Sequence, residues 1–191
     1  MNLWFRLLAT IFSTFWKPRL KPPLGRSTLR FRVWPNDLDT NFHMNNGRYL
    51  TVMDLGRPDL ILRMGILRPM LKYGWMPVLT SNIIRFRREL RLFEPFELES
   101  AIRYWQNTTF VMEHRIRFVK GRRAGGIAAT ALVKGGFYDR RERKFITMDR
   151  LFDELGLSKI DSPQLTPEIA ALLTAEDAIR SHDQADDPAA V

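Results

Sequence analysis

Two carboxylates, an imidazole and several carboxamides crowd one stretch of this sequence, Asp37-Leu38-Asp39-Thr40-Asn41-Phe42-His43-Met44-Asn45-Asn46-Gly47-Arg48-Tyr49. Side chains of these types can bond a backbone, a ligand or a reacting water. His43 can carry a proton near neutral pH or orient the loop around it. Asn45 or Asn46 can cap a helix, and the backbone N–H groups of a helix start favour an anion. Asp39, taken alone, reads as an N-terminal cap, Asp37 as a group bonding loop amides or the following helix, and Tyr49 as core with its hydroxyl satisfied locally.

The elements around this stretch must hold it at a strand-to-helix junction. Thr28 to Pro35 alternates, with Leu29, Phe31 and Val33 on one side and Arg30 and Arg32 on the other, as a half-buried strand does. From Asn45 to Met64 apolar residues recur at helical spacing, with Pro58 predicting a kink or break. Leu67 to Tyr73 reads as a further short helix closed by Gly74. Beyond it, Met76 to Leu90, Phe96 to Trp105, Phe110 to Val119 and Ala128 to Tyr138 read as long strands whose short connections predict antiparallel hairpins. Gly135-Gly136, and Gly125-Gly126 before it, point to bulges or close backbone approach. Thr147 to Leu155 and Thr166 to Arg180 read as helices. The expectation is an α+β domain, one long central helix wrapped by a curved antiparallel sheet of about five to six strands.

Outside that domain, Met1 to Trp16 is apolar except for a stripe of Asn2, Arg6, Thr10, Ser13, Thr14 and Lys17 within an arc of about 120°. It is too short to span a bilayer, and Arg6 and Phe15-Trp16-Lys17-Pro18 spoil a signal peptide. An amphipathic helix in a membrane interface fits, with a helix docked on protein as the alternative. Residues 1–25 are therefore expected to be this helix and a Pro-rich linker, 26–160 the folded domain, 161–180 a C-terminal helix and 181–191 a disordered tail.

The net charge of +9 favours anionic partners. Nucleic acid is not among those expected, because no stacking aromatic platform is interleaved with the basic residues. An anionic membrane surface is. With no cysteine, thiolate chemistry and disulfides are excluded, and a reducing, cytoplasmic location suits the chain, peripheral at the inner face of a membrane. His43, His114 and His182 share no metal-ligand spacing, and no phosphate-loop or dinucleotide motif occurs, so neither metal nor cofactor is expected.

Asp37-x-Asp39-x-x-x-His43-Met44-Asn45-Asn46-x-x-Tyr49, set between a strand and a helix, resembles the 4-hydroxybenzoyl-CoA thioesterase family of hot-dog folds over roughly 28–138. With the subgroup named thioesterase superfamily member six it also shares Asn36 to Asp39, the run Arg85-Phe86-Arg87-Arg88 and a hydrophobic, basic-flanked N-terminus. The resemblance implies a homodimer or dimer of dimers that cleaves an acyl-CoA or acyl-carrier thioester. It makes Asp39 the general base or nucleophile and places the oxyanion at the backbone of Asn45 and Asn46, with His43 beside them. Asp37, Phe42, Tyr49, Arg85 and Arg87 are then the residues around the substrate. Phe42 stands at the usual Gly position, where it would narrow the site or re-aim the loop. Gln106-Asn107-Thr108 replace the basic turn that some members use for CoA phosphates. Ser81 and Asn82 could reach the site of a neighbouring subunit. A non-catalytic hot-dog protein, binding acyl groups or lipid as a membrane scaffold, is the competing expectation.

Overall fold

A computed structural model describes residues 3–157 and 160–186. Helix α1 (Leu3–Thr14) leads through the Pro-rich segment to strand β1 (Arg26–Arg32). The polar stretch follows, then α2 (Asn46–Met53), α3 (Gly56–Arg63) and α4 (Leu67–Tyr73). Strands β2 (Trp75–Phe86), β3 (Pro95–Gln106), β4 (Thr109–Phe118) and β5 (Ile127–Asp139) come next, with a short β6 (Lys144–Phe145). Helices α5 (Met148–Glu154) and α6 (Pro167–Asp186) close the described chain.

The helical span from Asn45 to Met64 is two pieces, α2 and α3, in line with the expected break, and α4 is the further short helix expected at Leu67 to Tyr73. The first break falls at Asp54–Leu55, ahead of Pro58. Pro58 lies in the first turn of α3, where its missing N–H has no intrahelical acceptor to lose, so it starts a helix instead of kinking one. Gly56 matters here for another reason. A Cβ at this position would stand 2.1 Å from Ser100 Oγ, so only glycine lets α3 lie this close to β3.

The sheet is antiparallel in the order β1-β3-β4-β5-β2, with β6 pairing β5. The β3–β4 and β4–β5 connections are the expected hairpins. Strands β2 and β3 are not a hairpin: β2 pairs β5 at one edge while β3 pairs β1. The intervening segment crosses the end of the sheet, held by Val33 N–H on Glu94 O and Phe93 N–H on Val33 O. Short separation along the chain could not reveal that crossing. Gly135 and Gly136 do meet backbone closely, since added Cβ atoms would stand 2.6 Å from Val78 O and Thr108 O. Gly125-Gly126 lies in the turn before β5 instead.

Two apolar clusters fill the space between helices and sheet. In one, Tyr49, Val52 and Met53 of α2 pack on Phe96, Leu98 and Ile116. In the other, Leu60 and Met64 meet Trp75, Trp105 and Phe110. On the opposite face, Ile169 and Leu172 of α6 cover Tyr104 and Val111. That docking, with the Lys134–Glu176 ion pair, carries α6 on to Asp186, beyond the Arg180 at which the helix was expected to end. Residues 187–191 of the expected tail lie outside the described residues.

Candidate active site

The polar stretch begins in a 3-10 turn, Pro35–Asp37, and then folds back on itself. Leu38 bridges Met44 as a two-strand ladder. Asp39 N–H donates to His43 O at 3.0 Å and Phe42 N–H donates to Asp39 O at 3.1 Å. This is the bonding of a three-residue hairpin loop whose last position takes the left-handed conformation. Phe42 holds that position, at φ 60°. A glycine there would be unstrained, which explains why the hairpin normally asks for one.

The hairpin presents Asp39. Its Oδ1 accepts the Asn41 N–H at 2.9 Å, and its Oδ2 lies 3.4 Å from His43 Nδ1. The side chain is 21% exposed, so solvent or a ligand can reach it while the Asn41 N–H orients it and the His43 ring stands beside it. His43 in turn bridges Arg91, and Met44 N–H donates to Leu90 O, which ties the hairpin to the segment after β2. Asn41, Phe42, His43, Glu89, Arg91 and Leu92 line an adjoining recess of about 540 Å³.

Asn45, not Asp39, caps the helix: its side chain accepts the Gly47 N–H at 2.9 Å. The cap reading of Asp39 is thereby excluded. The Asn45 N–H is not available for an oxyanion, because it donates to Asp37 O at 2.8 Å. Asn46 opens α2, and its N–H belongs to the first turn, which has no intrahelical acceptor. Of the two expected donors, the structure leaves Asn46.

A model of the thioesterase-like superfamily matches residues 33–171, from the end of β1 into α6. The chain belongs to that superfamily. Protein THEM6 of Xenopus laevis is 29% identical over 153 residues, 80% of this chain and 70% of that protein. Protein THEM6 of Danio rerio is 33% identical over 96 residues, 50% of this chain and 48% of that one. The probable thioesterase YbaW of Escherichia coli has a like fold, at TM-score 0.61 and 21% identity over 67% of this chain and 95% of its own. So has a variant 4-hydroxybenzoyl CoA thioesterase complexed with 4-hydroxybenzoyl CoA, at TM-score 0.61 and 16% identity over 68% and 97%. The architecture is the hot-dog fold.

Not every expected substrate contact of this thioesterase-like chain reaches the hairpin surface. Tyr49 is core: its ring packs on Phe86 and its hydroxyl accepts the Leu90 N–H at 3.2 Å. Burial pushes that hydroxyl's pKa up. Asp37 is also buried, and it accepts the Trp34 N–H at 2.9 Å and pairs with Arg6 of α1. Both lie beneath the hairpin surface, Tyr49 at 3% and Asp37 at 1% exposed, with their polar atoms bonded inside the domain. Phe42 is 79% exposed and lines the recess from the tip of the hairpin. Arg85 on β2, an edge strand of the sheet, and Arg87 just beyond it are exposed, whereas Arg123 is drawn onto Glu94 at 2.7 Å and over the Phe118 ring.

Arg6 is the residue that sequence reasoning left without a role. Its signal was visible, one cation inside an apolar run. The stripe it belongs to turns inward: Arg6 and Thr10 are buried against the domain, and Lys17 reaches the buried Asp59 at 3.3 Å. Among the described residues no cluster could hold a metal ion, and no helix is long and apolar enough to cross a membrane.

Proposed function

We propose that this chain hydrolyses the thioester of an acyl-CoA or acyl-carrier, as a dimer, beside a membrane surface. The observation that carries this is Asp39, an oriented and reachable carboxylate on a hairpin that runs directly into the N-terminus of α2. As general base it takes a proton from water while the oxygen adds to the thioester carbon. The carbonyl oxygen becomes an anion that the Asn46 N–H stabilises, and the C–S bond then breaks, the thiolate leaving with a proton. As nucleophile, the same carboxylate would add to the thioester carbon and expel the thiolate to give a mixed anhydride, which water opens to the free acid and the restored carboxylate. His43, 3.4 Å away, sets the carboxylate's orientation in either case.

Dimerisation is favoured by the β2 edge. Leu79, Ile83 and Phe86 are exposed along a twelve-residue edge strand, the kind of surface that pairs with another strand. A partner there would also wall a site that one chain leaves open, and would bring Arg85 and Arg87 to a subunit boundary where CoA phosphates could be met. The exposed aromatic face of α1 supports the membrane setting.

The test is hydrolysis of a panel of acyl-CoA chain lengths, with and without anionic vesicles, by the wild type and by Asp39→Asn. The variant keeps an oxygen for the Asn41 N–H, so the fold should survive while turnover falls by about 100-fold or more. Wild-type rates in the variant would sink the mechanism. A folded wild type inert to the whole panel would favour acyl binding without turnover, a reading that the single remaining oxyanion donor also supports.

A further inference from the structure

The docking of α1 is inverted. A helix that merely covers a soluble domain buries its apolar side, whereas here the fully buried residues are Arg6 and Thr10, with only Leu3 and Leu7 partly buried on the core beside them. Arg6 Nη2 donates to Arg32 O at 3.1 Å and to the Asp37 carboxylate. Beyond the helix, Lys17 bonds Asp59, Leu20 N–H donates to Arg63 O at 3.0 Å and Arg63 Nε donates to Pro18 O at 2.9 Å. These polar ties fix the rotation of the helix about its axis. They leave Trp4, Phe5, Leu8, Phe12, Phe15 and Trp16 between 60% and 76% exposed. So many large apolar side chains on one outward face mark a surface meant for a second phase or partner.

We propose that this face of α1 is a preassembled docking surface for an anionic phospholipid bilayer, fastened to the Asp39 loop through Arg6 and Asp37. This deepens the membrane-proximal part of the proposed function and rests on it. Two observations choose lipid over a second copy. Trp4 and Trp16 stand near opposite ends of the helix, and Trp favours the boundary between head groups and acyl chains. The Lys17 and Arg30 charges in the groove along the helix are met by Asp59 and Glu97, but Arg32 also lines that groove, and the exposed Arg19 and Lys21 follow the helix. A two-fold contact through this face would set those cations against their own copies, while anionic head groups would attract them. Because Asp37 is two residues from Asp39, the bilayer-facing helix and the hairpin form one rigid unit. An acyl thioester held at the membrane is thereby presented at a fixed distance and angle from the carboxylate.

The full chain is tested by co-sedimentation with vesicles of phosphatidylcholine alone and of phosphatidylcholine with one quarter phosphatidylglycerol, over a salt series. Binding to the mixed vesicles that weakens with salt is expected, and the triple variant Phe5→Ser, Phe12→Ser, Phe15→Ser should bind at least tenfold more weakly. Equal binding by the variant overturns the proposal. So does a lipid-free oligomer by sedimentation velocity that the variant breaks while the wild type ignores vesicles. Quenching by brominated phospholipid needs no variant: Trp75 and Trp105 are buried and Trp34 is only 36% exposed, packed on Phe93, so Trp4 and Trp16, at 68% and 70%, should dominate the loss of fluorescence. Vesicle-bound protein whose fluorescence is unquenched also overturns it. None of these readouts involves turnover, so they stand whichever way the hydrolysis panel falls.

Discussion

Arg6 of α1 and Asp37 of the Asp-x-Asp loop form a buried ion pair, their side chains 3% and 2% exposed. Removing one member strands the other charge in a dry site, typically at about 3–5 kcal/mol. Arg6→Met and Asp37→Asn should each lower unfolding stability by roughly that much. The double variant should cost clearly less than the sum, because no lone charge remains. Urea unfolding of the four proteins tests this. Strict additivity would mean that the pair does not hold α1 to the loop.

Asp39→Asn addresses the reacting group, and His43→Ala addresses its orientation. His43 Nδ1 is 3.4 Å from the carboxylate, but the Asn41 N–H independently holds the other oxygen. Loss of His43 should therefore lower kcat by about tenfold, well short of the Asp39 effect of about 100-fold or more. Steady-state kinetics of both variants on one acyl-CoA gives the comparison, and equal losses would make His43 a proton-transfer group in its own right.

Phe42 carries the strain of the hairpin. A non-glycine residue in the left-handed region costs about 1–2 kcal/mol, and this side chain is 79% exposed, so it recovers little by packing. Glycine would relieve the strain but give back roughly 0.5–1 kcal/mol in unfolded-chain entropy. Phe42→Gly should thus stabilise by up to about 1 kcal/mol, while Phe42→Ala, which keeps the strain, should not. Thermal unfolding of the two variants separates these outcomes.

Much of this was legible from residues, and the parts that were not share a cause. Alternation from Leu29 to Val33 and the long runs after Gly74 gave every strand longer than two residues, because one-sided burial writes a period of two into the sequence. The order of Asp39, His43 and Asn45 likewise located the strand-to-helix junction, though not the hairpin into which it folds. Periodicity carries no pairing information, so the β2-to-β3 crossing was invisible. It also cannot say which side of an amphipathic helix meets protein. The Arg6 stripe looked like a face for water or head groups, and only its buried partners, Asp37 and the Arg32 carbonyl, reveal the inversion. Asn45 and Asn46 could not be told apart as oxyanion donors until the Asn45 N–H was seen to bond Asp37 O.

The β2 edge should behave as an interface. Leu79 and Ile83 are exposed on a strand with one unpaired side, and Ser81 Oγ is shielded without a partner among the described residues. Opposed like charges should block strand pairing across a two-fold axis. The double variant Leu79→Lys, Ile83→Lys should sediment as a monomer while keeping its circular dichroism, and a variant that still sediments with the wild type would move the interface elsewhere.

Acid should unfold the protein earlier than its carboxylates alone require, through His114. The ring is fully buried beneath α3, with Nδ1 2.7 Å from Ser100 Oγ. Burial first, and the nearby charge of Arg57 second, lower its pKa from 6.5 to about 3. Below pH 6.5 the unfolded chain takes up a proton here that the folded chain refuses, so stability falls as pH falls and goes on falling towards about 3. The slope approaches about 1.4 kcal/mol per pH unit. Glu89, Asp139 and Glu142, whose pKa values are lowered in the fold, add their losses only below the ordinary carboxylate range, near pH 4.5. Between about pH 6 and 5 the slope therefore reports the buried imidazole. His114→Gln should flatten it there, with Asp54, whose raised pKa acts in the opposite sense, present in both proteins. Urea unfolding across that window decides it, and equal slopes in wild type and variant would mean that His114 is protonated in the folded state.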